Sequence, residues 1–250
     1  MFSDVEFLGS EADLPAGWCL PTRGLVELVA QYVQEGLALP SSPHLYAPSM
    51  SLTHEALASE QVLEGIELLK SYCNPVSPSS LRAVGMAYPQ LARANNGSFR
   101  AFAVNMGMPD ARNENRQTDI RVFYNPIVTA VESEGWEERN EHCFSAPGIA
   151  VTVKRWKVID VQGPDGRSRR YSGTEAWFIQ HENDHLNGVL CQKVALDQGG
   201  KLYYAPPEKE RMFFRREYDL SYDWPEFPAE QWFAMVRGEF RLEDYFKFLR

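Results

Sequence analysis

At about residue 172 the sequence changes period. The stretch over 83–157 is set in short runs of aromatic and β-branched residues, among them 99–104 and 121–124. Val151 and Val153, then Trp156, Val158, Ile159 and Val161, add two more such runs. These predict strands. Gly163-Pro164-Asp165-Gly166 predicts a turn, with Arg169-Arg170-Tyr171 returning as a hairpin arm. Beyond it, Ser172 stands three residues before Glu175, the form of a capping box. Ala176, Phe178, Ile179, Glu182 and His185 then follow at helical spacing, and Gly188 closes the helix. Two further helices are predicted, over about 24–36 from Leu25, Leu28, Val29, Tyr32 and Val33, and from Thr53 to about Cys73. The segment 229–248 also reads as helical. Residues 38–51, 74–80 and 107–119 read as irregular or loop segments. Helices flanking antiparallel strands predict an α+β fold.

The chain has 250 residues and a formal net charge of −9. An acidic surface repels phosphate backbones, which disfavours generic nucleic-acid binding. No apolar run is long enough for a membrane span. The first thirteen residues hold acidic side chains and no basic run, unlike a secretory signal peptide. Cys19, Cys73, Cys143 and Cys191 are scattered with no C-x-x-C pair, which predicts thiols in a reducing cytoplasm.

The predicted helix at 172–188 carries His181-Glu182-Asn183-Asp184-His185, an H-E-x-x-H sequence. Residues i and i+4 share a helical face, so both imidazoles can serve one metal ion, and the intervening glutamate can take a proton from water activated there. Two imidazoles do not complete a catalytic site, and a third protein ligand is expected. No histidine follows His185. Downstream Glu208 and Glu210 are candidates, and so is upstream Cys143, whose thiolate suits a borderline-soft cation.

Glu141-His142-Cys143-Phe144-Ser145, set ahead of Gln180-His181-Glu182-Asn183-Asp184-His185, resembles the peptide deformylase family. That family shows three ordered blocks, G-x-G-x-A-A-x-Q, E-G-C-L-S and H-E-x-D-H. The first has its counterpart in Ala83-Val84-Gly85-Met86-Ala87-Tyr88-Pro89-Gln90. Val122-Phe123-Tyr124-Asn125-Pro126 and Leu186-Asn187-Gly188-Val189-Leu190 add matches, and the likeness covers roughly 53–195.

The resemblance implies antiparallel sheets around a central helix carrying H-E-x-x-H. It implies that Cys143, His181 and His185 hold one divalent metal, typically Fe(II) in this family, with Zn, Ni or Co as substitutes. Glu182 would be the base. The Gln90 side-chain amide and the Phe144 backbone N–H would meet the oxyanion formed at the formyl carbon of an N-formylmethionyl peptide. Gly85, Val84, Met86 and His142 would contact substrate. Glu141 and Arg155 match a pair bracing the metal loop, and Asp184 would hold His181 or the adjacent backbone. Formate release from nascent chains, with transient ribosome association, would be the activity. Three parts are expected: an N-terminal extension (1–52), a catalytic domain (53–203) and an aromatic C-terminal extension (204–250).

The chain departs from the family pattern at Ala83, Tyr88, His142, Phe144 and Ala150, where the family shows Gly, Ala, Gly, Leu and often Arg. These positions are expected near the substrate cleft. They leave two alternatives open: a deacylase for another N-acyl substrate, and a catalytically silent member of the family. Neighbours in extended backbone point to opposite sides, so His142 is expected to line the cleft rather than join Cys143 as a ligand. The aromatics of the tail, Trp224, Phe227, Trp232, Phe233, Phe240, Tyr245 and Phe248, are expected mostly to pack the tail onto the protein.

Overall fold

A computed structural model describes residues 6, 8–10, 12, 14–74, 83–107, 118–205 and 224–249. Most of the loops expected over 74–80 and 107–119, and both Glu208 and Glu210, lie outside the described residues. The helices are α1 (Arg23–Gln34), α2 (His54–Leu57), α3 (Glu60–Cys73), α4 (Gly173–Leu186), α5 (Cys191–Asp197) and α6 (Ala229–Val236), with a 3-10 helix at Leu242–Leu249. The strands are β1 (Gly85–Ala87), β2 (Ala101–Asn105), β3 (Ile120–Tyr124), β4 (Ile127–Ala130), β5 (Trp136–Cys143), β6 (Ala146–Trp156), β7 (Val158–Gln162), β8 (Ser168–Ser172), β9 (Leu202–Tyr204) and β10 (Glu226–Phe227). Among the described residues the pairs β1–β2, β2–β3, β4–β7, β7–β8, β6–β9 and β9–β10 are antiparallel, as the α+β reading expects.

The chain forms two compact units, each discontinuous in sequence. One comprises Met1–Ser42, Glu138–Lys154 and Leu190–Arg250, and the other Pro43–Glu137 and Arg155–Val189.

The first unit is built on a sheet of order β10-β9-β6-β5. Helix α1 starts at Thr22, whose hydroxyl accepts the Leu25 N–H at 3.0 Å, and it buries Leu25, Val26, Val29 and Tyr32. The side-chain amide of Gln231 on α6 both donates to Cys19 O and accepts from Cys19 N, at 2.8 Å each, so the tail is stitched to the N-terminal segment. Trp224, Phe227, Trp232 and Phe240 of the tail are buried, whereas Phe233 and Phe248 are exposed. The helix expected over 229–248 is broken: α6 ends at Val236, Gly238 takes a positive φ, and a 3-10 helix resumes at Leu242.

The second unit holds the sheets β1-β2-β3 and β4-β7-β8. Phe102 and Val104, Ile159 and Val161, and Tyr171 form one apolar cluster with Ala176, Ile179 and Leu186 of α4. The single helix expected from Thr53 to Cys73 is two helices. Ser59 interrupts it, donating to Ala56 O at 2.7 Å and capping Val62 N–H, while Thr53 caps the short α2. The capping box at Ser172 and Glu175 is also absent as such. Ser172 occupies the N-cap of α4 but makes no side-chain capping bond. It is the last residue of β8, paired opposite Val158, so its backbone follows the strand ladder instead.

Candidate functional site

Helix α4 is fixed at its middle and its C-terminus before it presents any chemistry. Gln180 locks its middle to the end of β6, accepting the Trp156 N–H at 2.9 Å and donating to Trp156 O at 2.9 Å and Ala176 O at 3.0 Å. At the C-terminus, Val189 N–H bonds Asp184 O at 2.9 Å and Gly188 N–H bonds His185 O at 3.1 Å. With Gly188 at φ +74°, this is the left-handed closure that glycine permits. The Leu186 carbonyl receives Ser49 N–H at 2.9 Å and the Arg100 guanidinium at 3.0 Å, so the orphan acceptors at the helix end are satisfied.

On this scaffold the His181 and His185 rings lie one turn apart, with centroids 5.1 Å apart and planes at 77°. Glu182 is 4% exposed and His185 1%. The Glu182 carboxylate lies beneath β1: a Cβ built on Gly85 would collide with Glu182 Oε1. Gly85 therefore leaves room for the carboxylate. Burial, with a smaller contribution from the charge of Glu182, pushes the Cys73 thiol well above its usual range, so Cys73 stays protonated. The Asp184 carboxylate meets Arg155 at 2.5 Å, a nearly buried ion pair. Within its own unit Arg155 pairs with Asp184.

Gln90 is 2% exposed and sits in the 3-10 turn that follows β1. Its Oε1 accepts the Ala87 N–H at 2.8 Å, which fixes which end of the amide is the acceptor and turns the Nε2 donor the other way. Val84 is half-buried and Met86 is fully buried.

Cys143 ends β5, where burial alternates: Arg139, Glu141 and Cys143 are buried, and Asn140 and His142 are only partly so. His142 thus faces away from the Cys143 side of the strand, as extended backbone requires. The Cys143 thiol is reduced. Phe144, next in sequence, rests against Tyr32 of α1.

Three of the residues expected to alter the cleft are buried: Ala83, Tyr88 and Ala150. The Tyr88 ring packs edge-on to Phe99 at 5.4 Å and fills the space over Gly65 of α3, where a Cβ would stand 2.5 Å from Tyr88 Cε2. At Tyr88 the ring that stands where the family shows Ala thus packs over Gly65. Gln180 and Arg100 were not singled out from sequence. Gln180 adjoins His181 and was open to view; nothing local to Arg100 marks it.

The family model for polypeptide deformylase matches residues 43–198, well over half of the chain. The chain belongs to the polypeptide deformylase family. The peptide deformylase of Synechococcus sp. (strain CC9605) is 42% identical over 123 residues, 48% of this chain and 56% of that protein. The peptide deformylase of Dictyoglomus thermophilum is 33% identical over 137 residues, 53% of this chain and 73% of that protein. The chain spans between 53% and 63% of the length of the first curated relatives it matches. A Met-Ala-Ser-bound crystal structure of a class I type b peptide deformylase from Acinetobacter baumannii aligns with a TM-score of 0.49 and 22% identity, over 63% of this chain and 96% of that one. Among the described residues no helix is long and apolar enough to cross a membrane.

Proposed function

We propose that the protein is a metal-dependent amide hydrolase that removes the formyl group from N-formylmethionyl peptides and releases formate. The observation that carries this reading is Glu182: a buried carboxylate, flanked in sequence by two histidines one helical turn apart, held under an edge strand of the sheet. Family membership supports the substrate class.

Cys143, His181 and His185 would hold one divalent cation, Fe(II) in the first place, with Zn, Ni or Co as substitutes; they are a candidate ligand set by donor type. One thiolate and two imidazoles fit a borderline-soft cation. Such a cation, when bound, supplies Lewis-acid polarisation of water and of the formyl oxygen.

The chain's own residues do the rest. Glu182 takes a proton at its carboxylate from the attacking water and returns it to the departing amine nitrogen. The burial of Glu182 keeps that proton from bulk solvent. Gln90 Nε2 and the Phe144 backbone N–H donate to the oxygen that gains charge. The outer side of β1 receives the peptide backbone as an added strand at Gly85, which is how extended peptides dock on sheet edges. Val84 supplies apolar surface near the methionine side chain, with the buried Met86 packed behind it, and His142 lines the cleft. Nascent chains at the ribosome in the cytoplasm are its substrates.

Formate release from formyl-Met-Ala-Ser tests the reading. Turnover that vanishes in Glu182→Ala while the metal stays bound is the expected result. One bound metal without turnover would favour another N-acyl substrate, and protein purified without oxygen that holds no metal would leave only a silent family member.

A further inference from the structure

We propose that Tyr32, on a helix outside the segment matched to the family, is a positioning residue for Phe144 and through it for the turn that follows Cys143. The inference rests on the proposed function, which assigns the Cys143 thiolate and the Phe144 N–H to the reaction.

Cys143 ends β5 and Ala146 begins β6, so Phe144 and Ser145 alone make the connection. Two-residue connections are ordinarily set by Gly, Asn or Asp. This one has neither glycine nor asparagine. Ser145 is fully buried, and its Oγ has no hydrogen-bond partner among the described residues. That hydroxyl does not pin the turn.

Helix α1 does. The Tyr32 ring lies 5.3 Å from the Phe144 ring, tilted at 57°, within the range where aromatic pairs attract. Two turns earlier on the same face, Leu25 closes on Gly148, where a Cβ would stand 2.9 Å from both leucine methyls. Tyr32 is 4% exposed and Leu25 2%. The helix is itself held: Thr22 caps it, and the Thr22 N–H donates to Tyr204 Oη at 3.0 Å. Gly148 O in turn receives Ala205 N–H at 2.8 Å. The turn at Phe144 and the start of β6 as far as Gly148 are thus packed by α1, and Gly148 is tied to the end of β9.

This accounts for the departure at Phe144. The leucine of the family pattern is shorter than a phenyl ring, and a phenyl ring reaches Tyr32. The added helix and the enlarged side chain form a matched pair: α1 supplies a wall, and Phe144 leans on it. Because the ring and the N–H share one Cα, holding the ring restrains the backbone that carries the donor.

The test uses the full chain as Tyr32→Ala, Tyr32→Phe, Phe144→Leu and Tyr32→Ala/Phe144→Leu. Readouts are kcat and KM for formyl-Met-Ala-Ser, and the near-ultraviolet thiolate charge-transfer band of the Co(II)-loaded protein without substrate. Tyr32→Ala is expected to lower kcat about ten- to hundredfold, the range for a misaligned donor, with KM within about threefold, and to shift the Co(II) band. Tyr32→Phe, which keeps the ring, restores both. Phe144→Leu is expected to add no further loss in the Tyr32→Ala background. Wild-type kcat together with an unmoved band in Tyr32→Ala would overturn the inference, and so would strictly additive losses in the double variant. If Tyr32→Ala does not fold, Tyr32→Leu takes its place with the same expectations. A wild-type protein that releases no formate counts against the proposed function alone; the Co(II) band then decides this inference by itself.

Discussion

Gly85 has no side chain because the Glu182 carboxylate occupies the space where one would stand. Gly85→Ala forces one of the two to move, and overpacking of this kind costs about 1–3 kcal/mol. In the Glu182→Ala background the obstruction is gone, so most of that cost should disappear; urea unfolding of the four proteins of the cycle checks it. Equal destabilisation in both backgrounds would refute the contact. Arg155 and Asp184 are a second residue-scale case. Removing one partner of a buried pair typically costs about 3–5 kcal/mol, and because Asp184 is 24% exposed Arg155→Met is expected at or below the low end of that range, read by the same unfolding measurement. The sequence displayed one half of this chemistry openly. His181, Glu182 and His185 announce themselves because four residues make about one helical turn. Contacts such as Gly85 with Glu182, or Gly65 with Tyr88, join residues far apart in the chain, and no local pattern encodes them. Tyr88 thus read as a cleft substitution when its physical meaning is packing.

At the scale of elements, the caps separate the bonds that form from those that only look as if they should. Ser59 both caps α3 and binds back to Ala56, so Ser59→Ala is expected to cost about 1 kcal/mol. Ser172 has the capping-box sequence without the bond, and Ser172→Ala should stay within about 0.5 kcal/mol of wild type. Thermal or urea unfolding distinguishes the two. Gly188 closes α4 at φ +74°, and a methyl there would stand 2.7 Å from the Tyr46 backbone. Gly188→Ala combines a left-handed penalty of about 1–2 kcal/mol with that collision, and is expected to cost at least about 2 kcal/mol. Strand periodicity located β2, β3, β7 and β8 closely. It missed β5, whose sequence Trp-Glu-Glu-Arg-Asn-Glu-His-Cys is dominated by charge. Arg139 and Glu141 are buried there, and burial of charge depends on partners elsewhere, which a hydrophobic pattern cannot reveal.

At the scale of the whole molecule, the two compact units interleave along the chain. A linear reading separates an N-terminal extension, a catalytic stretch and a tail. In the fold, the N-terminal helix, the strand ending in Cys143 and the tail belong to one unit, while α4 with its two histidines belongs to the other. Gln231 bonding Cys19 across the length of the chain is one stitch in that arrangement. Such topology is set by long-range pairing and leaves no trace in local composition. The functional account therefore turns on a thiolate and two imidazoles drawn from distant parts of the chain serving one cation. The most direct test is X-ray absorption at the zinc edge of the zinc-loaded protein. The account predicts a first shell with one sulfur at about 2.3 Å and two imidazole nitrogens at about 2.0–2.1 Å. A first shell of nitrogen and oxygen alone, with no sulfur, would contradict it.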